Sequence, residues 1–535
     1  MKVKDMIYPL IPKPQKITTG DTVVFTLTKY CEIIGEDKFP KAVGSLKKFL
    51  SESFSLELLG TGKEKLYLEL SDEINSDEGY TLSVKENEVI IKVKTEQGVF
   101  YGIQTLKQML MHGDLSLCSA EIEDEPAFSY RGFMLDCGRY FFTKEAVFTF
   151  LEIMALHKLN YFHWHLTEDQ GWRFYSEKYP LLTEIGSYRS HTNFNSVPHS
   201  GYYTKEDMKE VVEYAHSLYI KVIPEIDTPG HTVSAIAAYP FLSCFDRNMV
   251  TATKWGVKYD VLCVGKESTF DFVQSVFDEV TEIFTDGIVH LGGDEVPTAR
   301  WELCPHCQKR MKDEGLKETG DLHTYYLGRI GKYLRDKGME VIMWNDRVKE
   351  YMPDSSLCWQ FWNTDMDKKD IDGEIKKGRS FIISPEKSYY LDLPYGLVDL
   401  KTCYEYDPYI EGLTEENRHL LKGIEACLWA EFVPDMKKAG YCTFPRLGAI
   451  SESAWTKKEN KSYEDFSERL DGYYKHIKAI NMNYATVKQA IPTGIRKTAS
   501  KLYWERRRLC WGGLENLITN KKLEKMYGKK DKKND

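Results

Sequence analysis

Residues 288–295 read IVHLGGDE: an apolar run, two glycines, then two carboxylates, Asp294 and Glu295, side by side. A solvated acidic turn needs no apolar run before it. A parallel strand buried on both faces reads as such a run, and in a barrel its C-terminal end faces the active site. Neighbouring residues on a regular strand point to opposite faces, so both acids can serve one site only if the strand has already ended. Gly292 and Gly293 make that break plausible, since glycine accepts irregular backbone.

Seven more runs of the same character flank this one: RGFMLD (131–136), NYFHWHL (160–166), KVIPEID (221–227), EVIMWND (340–346), LCWQFW (357–362), FIISPEKSYYLD (381–392) and GIEACLWAE (423–431). Amphipathic helical patterns separate most of them, among them KEAVFTFLEIMALHKL and KEDMKEVVEYAHSLYI. Strands alternating with helices indicate βα units, and eight units close a (β/α)8 barrel. The runs at 340–346 and 357–362 lie close together, so a short helix or none is expected between them.

The chain before residue 126 has another rhythm. KLYLEL and GYTLSVKENEVIIKVK alternate with the period of half-buried strands, and TEQGVFYGIQTLKQML follows with helical spacing. The expected fold class is therefore α/β, a TIM-type barrel preceded by a smaller α+β domain. The expected divisions are 1–125 for the α+β domain, 126–460 for the barrel and 461–535 for a helical extension with a frayed, lysine-rich tail. EIEDEPAF, with Pro126, is expected as the linker.

Composition excludes several classes. The 535 residues carry a net charge of −9, without the basic footprint of a nucleic-acid binder. No apolar stretch approaches the length of a membrane span. The start, MKVKDMIYPLIPKPQKI, has neither the apolar core nor the small-residue cleavage site of a signal peptide, so a cytoplasmic location is expected. Twelve scattered cysteines suit reduced, buried thiols. Cys304 and Cys307 have C-x-x-C spacing, but zinc needs two further ligands and no second C-x-x-C exists. They are read as loop thiols, and no metal or other cofactor is expected.

The chemistry sits at the strand ends: Asp136 and Arg139, Glu168 and Asp169, Asp227 and His231, Asp294 and Glu295, Trp344 and Asp346, Trp362, Tyr390 with Asp392, and Trp429 with Glu431. Eight loaded ends are hard to explain by stability alone. Acids with tryptophans suit a carbohydrate, whose C–H faces pack on indole while its hydroxyls meet carboxylates. Two rivals are weighed. His163 and His165 share a strand face as metal-dependent amidohydrolase ligands do, and with His231, His290 and Asp294 they suggest a metal centre, but the glycines then have no role. A non-catalytic sugar-binding barrel would not need both Asp294 and Glu295. His290, inside its strand, is expected in a hydrogen-bonded core role.

The segment HLGGDE (290–295) resembles the signature of glycoside hydrolase family 20, the β-N-acetylhexosaminidases. YRGFMLDCGRYF, HWHLTEDQGWR, IPEIDTPGHT, YLDL, EACLWAE and FPRLGAISESAW resemble that family in the same order. The resemblance implies an exo-acting, retaining enzyme in which the substrate's own acetamido oxygen attacks the anomeric carbon and forms an oxazolinium ion. It implies that Glu295 is the acid and base, its pKa raised by Asp294, and that Asp294 orients the acetamide and stabilises the developing charge. Tyr390 would donate to the acetamido oxygen, and Trp344, Trp362 and Trp429 would wall the pocket. Asp392 and Glu431 would bind O4 and O6, and Arg131 the hydroxyls at C3 and C4. His231 would stand behind Glu295, linked to Glu168 or Asp169, where the commoner pattern has two aspartates. The implied partner is an oligosaccharide or glycoconjugate, with no cofactor.

Overall fold

The computed structural model describes residues 8–193, 195–346, 355–508 and 513–527. Eight strands form a closed barrel: β1 (Tyr130–Asp136), β2 (Tyr161–His165), β3 (Lys221–Glu225), β4 (Ile288–His290), β5 (Glu340–Trp344), β6 (Cys358–Phe361), β7 (Phe381–Ile383) and β8 (Leu421–Leu428). Each pairs in parallel with the next, and β8 pairs with β1 to close the ring. All eight C-terminal ends therefore point the same way.

Two strands stop well before the end of their runs. β4 stops at His290 because Gly292 and Gly293 take φ of 70° and 95°, which no strand adopts. β7 stops at Ile383 because Pro385 caps the short helix Glu386–Tyr389, and a proline has no N–H to continue the ladder. Helices cover the outside. Lys144–Leu156 is capped by the Thr143 side chain, and Lys205–Ser217 by a reciprocal box between Thr204 and Asp207. Most of the connection between β5 and β6, where a short helix or none was expected, lies outside the described residues.

The N-terminal part is a six-stranded sheet in the order Lys16–Thr26, Ser116–Asp124, Tyr80–Lys85, Glu88–Val93, Lys65–Leu70, Glu32–Ile34. Its helix Glu96–Gly113 is buried at every residue from Gly98 to Leu110, since it touches the sheet on one side and helices Lys144–Leu156 and Tyr463–Ala479 on the other. The acidic stretch expected as a linker is the end of a sheet strand. Asp124 is only 5% exposed and accepts hydrogen bonds from the Tyr80 hydroxyl (2.6 Å), the Trp455 indole (2.8 Å) and the Lys158 ammonium (2.7 Å). A buried carboxylate with such partners ties the sheet to the barrel.

Arg131 belongs to the same junction. It is fully buried at the start of β1, with Nη2 2.8 Å from Glu78 and 3.0 Å from the Tyr101 hydroxyl, and it also donates to the carbonyls of Phe128 and Lys158. The expected role at the sugar hydroxyls is corrected. A residue at the N-terminal end of a barrel strand lies at the opposite mouth from the site, where a charged group serves stability.

Beyond the barrel, helix Tyr463–Ala479 buries Phe466, Leu470, Tyr473 and Ile477 and ties Arg469 to the buried Glu452 at 2.7 Å. Helix Gly513–Tyr527 lies against the short helix Ala299–Leu303. Of the tail expected to be frayed, KKLEKMYGKKDKKND (521–535), residues 521–527 continue this helix, and 528–535 lie outside the described residues. No helix among the described residues is long and apolar enough to cross a membrane. Cys304 and Cys307 are not loop thiols: both are fully buried and meet Cys244 and Cys263.

Candidate active site

The turn after β4 sets the geometry. Asp227, just beyond β3, accepts the Gly293 N–H at 3.0 Å, and a Cβ on residue 292 would lie 1.8 Å from that same carboxylate oxygen. Glycine is required there by contact as well as by φ. Glu295 then takes φ of 50°, so the chain coils instead of extending, and the two adjacent acids turn to the same neighbour. Nε2 of His231 lies 3.7 Å from Asp294 Oδ2 and 3.6 Å from Glu295 Oε2.

Asp294 is nearly buried, whereas the Glu295 side chain is 42% exposed at the mouth. Burial, reinforced by the charges of Glu225 and Glu295 and opposed by His231, pushes the Asp294 carboxyl up to about 6. Behind the pair, Nδ1 of His231 bonds Glu168 Oε2 at 3.1 Å and lies 3.5 Å from Asp169 Oδ2. Burial alone would discharge this imidazole, but Glu168 and Asp294 outweigh it and hold its pKa well above the ordinary histidine value. Asp169 also fixes the backbone, accepting the Val233 N–H at 3.0 Å. The extra methylene of Glu168 lets one carboxylate reach His231 and, 2.7 Å away, Arg139.

The strands from β5 round to β8 end in aromatics. Trp344 is fully buried and donates its indole N–H to Glu225 at 2.7 Å. Its ring centroid lies 5.7 Å from that of Trp429, Trp429 is 5.9 Å from Tyr390, and Tyr390 stacks 6.3 Å from Trp362. Trp362 is held by an indole hydrogen bond of 3.0 Å to Asp346. The four rings form a continuous wall.

Between that wall and β1 lie Asp392 and Glu431. Burial is the first cause of a raised pKa at both, and the charge of Glu431 adds to the shift at Asp392. Arg139 bridges the gap: its guanidinium bonds Asp136 at 3.0 Å, lies 3.4 Å from Glu431, and covers the Trp429 ring at 4.9 Å. Buried polar atoms left without a hydrogen-bond partner converge here, namely Asp294 Oδ1, Asp392 Oδ1, Glu431 Oε2 and the Trp429 indole nitrogen. Such atoms are costly unless a polar ligand satisfies them.

The arginine at the mouth is thus Arg139, not Arg131. The signal was available, because Arg139 follows its strand and Arg131 begins it. Asp227 and Asp346 were singled out at their strand ends but given no role, and Glu225 was missed. Glu225 is fully buried, 3.0 Å from His163, 3.1 Å from His290 and bonded to His165. His163 reaches Glu425 as well, at 2.8 Å. The ring nitrogens of the pair that suggested a metal centre are thus engaged by carboxylates, and His290 accepts the Gly292 N–H at 2.9 Å. Nothing local marks Glu225, since its partners come from three other strands.

A barrel mouth with carboxylates, an aromatic wall and unsatisfied polar atoms suits a carbohydrate ligand. The profile of the glycosyl hydrolase family 20 catalytic domain matches residues 128–458, and that of the family's domain 2 matches residues 7–125; the chain belongs to this family. A beta-hexosaminidase of Porphyromonas gingivalis is 35% identical over 505 residues, covering 89% of this chain and 64% of the relative, so the chain spans less than two thirds of that protein. A beta-hexosaminidase of Akkermansia muciniphila is 32% identical over 75% of this chain and 84% of its own length. Among solved structures, an exo β-N-acetylglucosaminidase from Vibrio harveyi in complex with N-acetylglucosamine superposes with a TM-score of 0.80 at 27% identity, covering 90% of this chain and 78% of that one.

Proposed function

We propose that this chain is an exo-acting, retaining β-N-acetylhexosaminidase that works by substrate-assisted catalysis. The observation that carries the reading is the adjacency of Asp294 and Glu295 on one side of the pocket, both facing one imidazole nitrogen. Two carboxylates so placed do not flank a glycosidic bond as an acid and a nucleophile must. A nucleophile built into the substrate resolves this, and an acetamido oxygen held near the anomeric carbon gains an effective molarity of about 10⁵–10⁸ M.

In this reading the exposed Glu295 protonates the leaving oxygen and later takes a proton from water. Asp294, ionised, accepts the acetamide N–H and stabilises the oxazolinium charge. Tyr390 donates to the acetamido oxygen, and Trp344, Trp362 and Trp429 enclose the methyl and the ring. Arg139, with Asp392 and Glu431, binds the sugar hydroxyls. His231, charged between Glu168, Asp169 and the acid pair, fixes the two carboxylates.

The test is nitrophenol release from the aryl β-N-acetylglucosaminide beside the aryl β-glucoside. Turnover of the first alone is expected. Comparable turnover of both would require an enzyme nucleophile and overturn the mechanism. Turnover of neither, with release from a disaccharide aryl glycoside, would place the chain with the disaccharide-releasing enzymes of the family.

A further inference from the structure

Four cysteines from two separate loops meet at one point. Cys244 and Cys263 lie in the long connection after β3, and Cys304 and Cys307 in the connection after β4. All four are buried free thiols. The sulfur separations are 3.6 Å for Cys263–Cys304, 3.7 Å for Cys263–Cys307 and 3.9 Å for Cys244–Cys307, and all four sulfurs lie within 4.8 Å of one another. A disulfide brings its sulfurs to about 2.05 Å, so these are not bonded pairs. A tetrahedron of Zn–S bonds about 2.3 Å long sets its sulfurs about 3.8 Å apart. The observed spacing fits the tetrahedron.

Buried cysteines often act only as small apolar side chains. The seven other described cysteines fit that description and form no cluster of this kind. Around these four, the backbone is held for close approach. A Cβ on Gly265 would fall 2.2 Å from the His306 carbonyl carbon and 2.3 Å from the Cys307 nitrogen, so only glycine lets the two loops touch there. The Trp301 indole donates across the same junction to the Leu262 carbonyl at 2.9 Å, and the Thr269 hydroxyl to the Cys263 carbonyl at 2.8 Å.

We propose that Cys244, Cys263, Cys304 and Cys307 form a structural zinc site clasping the loops after β3 and β4. On binding, the four thiols release four protons, and Zn²⁺ with four thiolates carries a net charge of about −2. Cys304 caps helix Pro305–Asp313, whose N-terminus offsets part of that charge. With four protein ligands, no coordination position is left for substrate, so the role is structural. The loop after β3 carries His231 and the loop after β4 carries Asp294 and Glu295. Clasping them together maintains the spacing on which the acid pair depends.

The full chain, purified without chelator, should contain about one zinc per chain by inductively coupled plasma mass spectrometry. Cobalt(II) added to the reduced, metal-free chain should give the sulfur charge-transfer and tetrahedral d–d absorption of a four-thiolate site. Cys304→Ser should lower the zinc content by about tenfold or more, while Cys403→Ser, at a buried thiol outside the cluster, leaves it unchanged. A chain that carries no metal and gives no cobalt spectrum would overturn the site. So would an intact mass showing two disulfides among these cysteines, and one equivalent of iron would overturn the choice of zinc. The wild-type metal content and spectrum stand as a test even if the serine variant fails to fold.

Discussion

At the residue scale, the main consequence concerns Asp294. Its carboxyl, pushed up to about 6 chiefly by burial, must be ionised to accept an N–H and to face a cation. A raised acid pKa keeps the proton on as pH falls, so kcat/KM should lose about tenfold per unit below pH 6. Asp294→Asn removes the charge but keeps the shape. It should lower kcat by about 10²–10³-fold and erase the acid limb near pH 6 from the residual activity. Full pH–rate profiles check both, and a limb that survives in the variant would assign it to another group. Tertiary burial singles out Asp294, the member of the pair nearer the barrel interior.

At the element scale, the end of a strand on which a residue sits decides what it does. Arg131 and Arg139 lie at opposite ends of β1, and their substitutions should separate in KM. Arg131→Met leaves Glu78, whose side chain is 15% exposed, without its cation and two buried carbonyls without a donor, so stability should fall by about 3 kcal/mol with KM unchanged. Arg139→Met also strands buried carboxylates, Asp136 and Glu168, so it should lower stability too, but it alone should raise KM, by about 10–100-fold, the worth of lost charge-assisted hydrogen bonds. Urea titration alongside steady-state kinetics reads both, and a KM effect at Arg131 would restore the role first expected of it. The same principle explains which elements were legible. Period and punctuation exposed all eight strands, but β4 and β7 are shorter than their runs, because apolar residues continue into the turns that line the site.

At the scale of the whole molecule, the sheet and the barrel share buried polar contacts instead of a loose connector. Asp124 joins Tyr80, Lys158 and Trp455, and Arg131 joins Glu78 and Tyr101. Separating the two parts would break these pairs and expose the surface packed round them, which couples their unfolding. Calorimetry of the intact chain should therefore show one unfolding transition, with Asp124→Ala lowering its midpoint as a whole. Two resolved transitions in the wild type would show that the parts unfold independently. The acidic composition of 121–125 reads as a linker because sequence shows the charges and not their partners.

What the sequence determined by itself is periodic or contiguous: the βα alternation, the eight strand ends and their polar residues, the glycine pair before Asp294 and Glu295, and the α+β rhythm of the first 125 residues. These follow from the geometry of strand and helix, which act over a few residues. What only the tertiary structure decided is which distant groups meet. Glu225 gathers three histidines and an indole from neighbouring strands, Arg139 takes the place expected of Arg131, and Cys244 and Cys263 join the C-x-x-C pair from another loop. The physical reason is common to all three. Barrel closure brings residues far apart in the chain within a few ångströms, and a side chain's charge and partners depend on that neighbourhood.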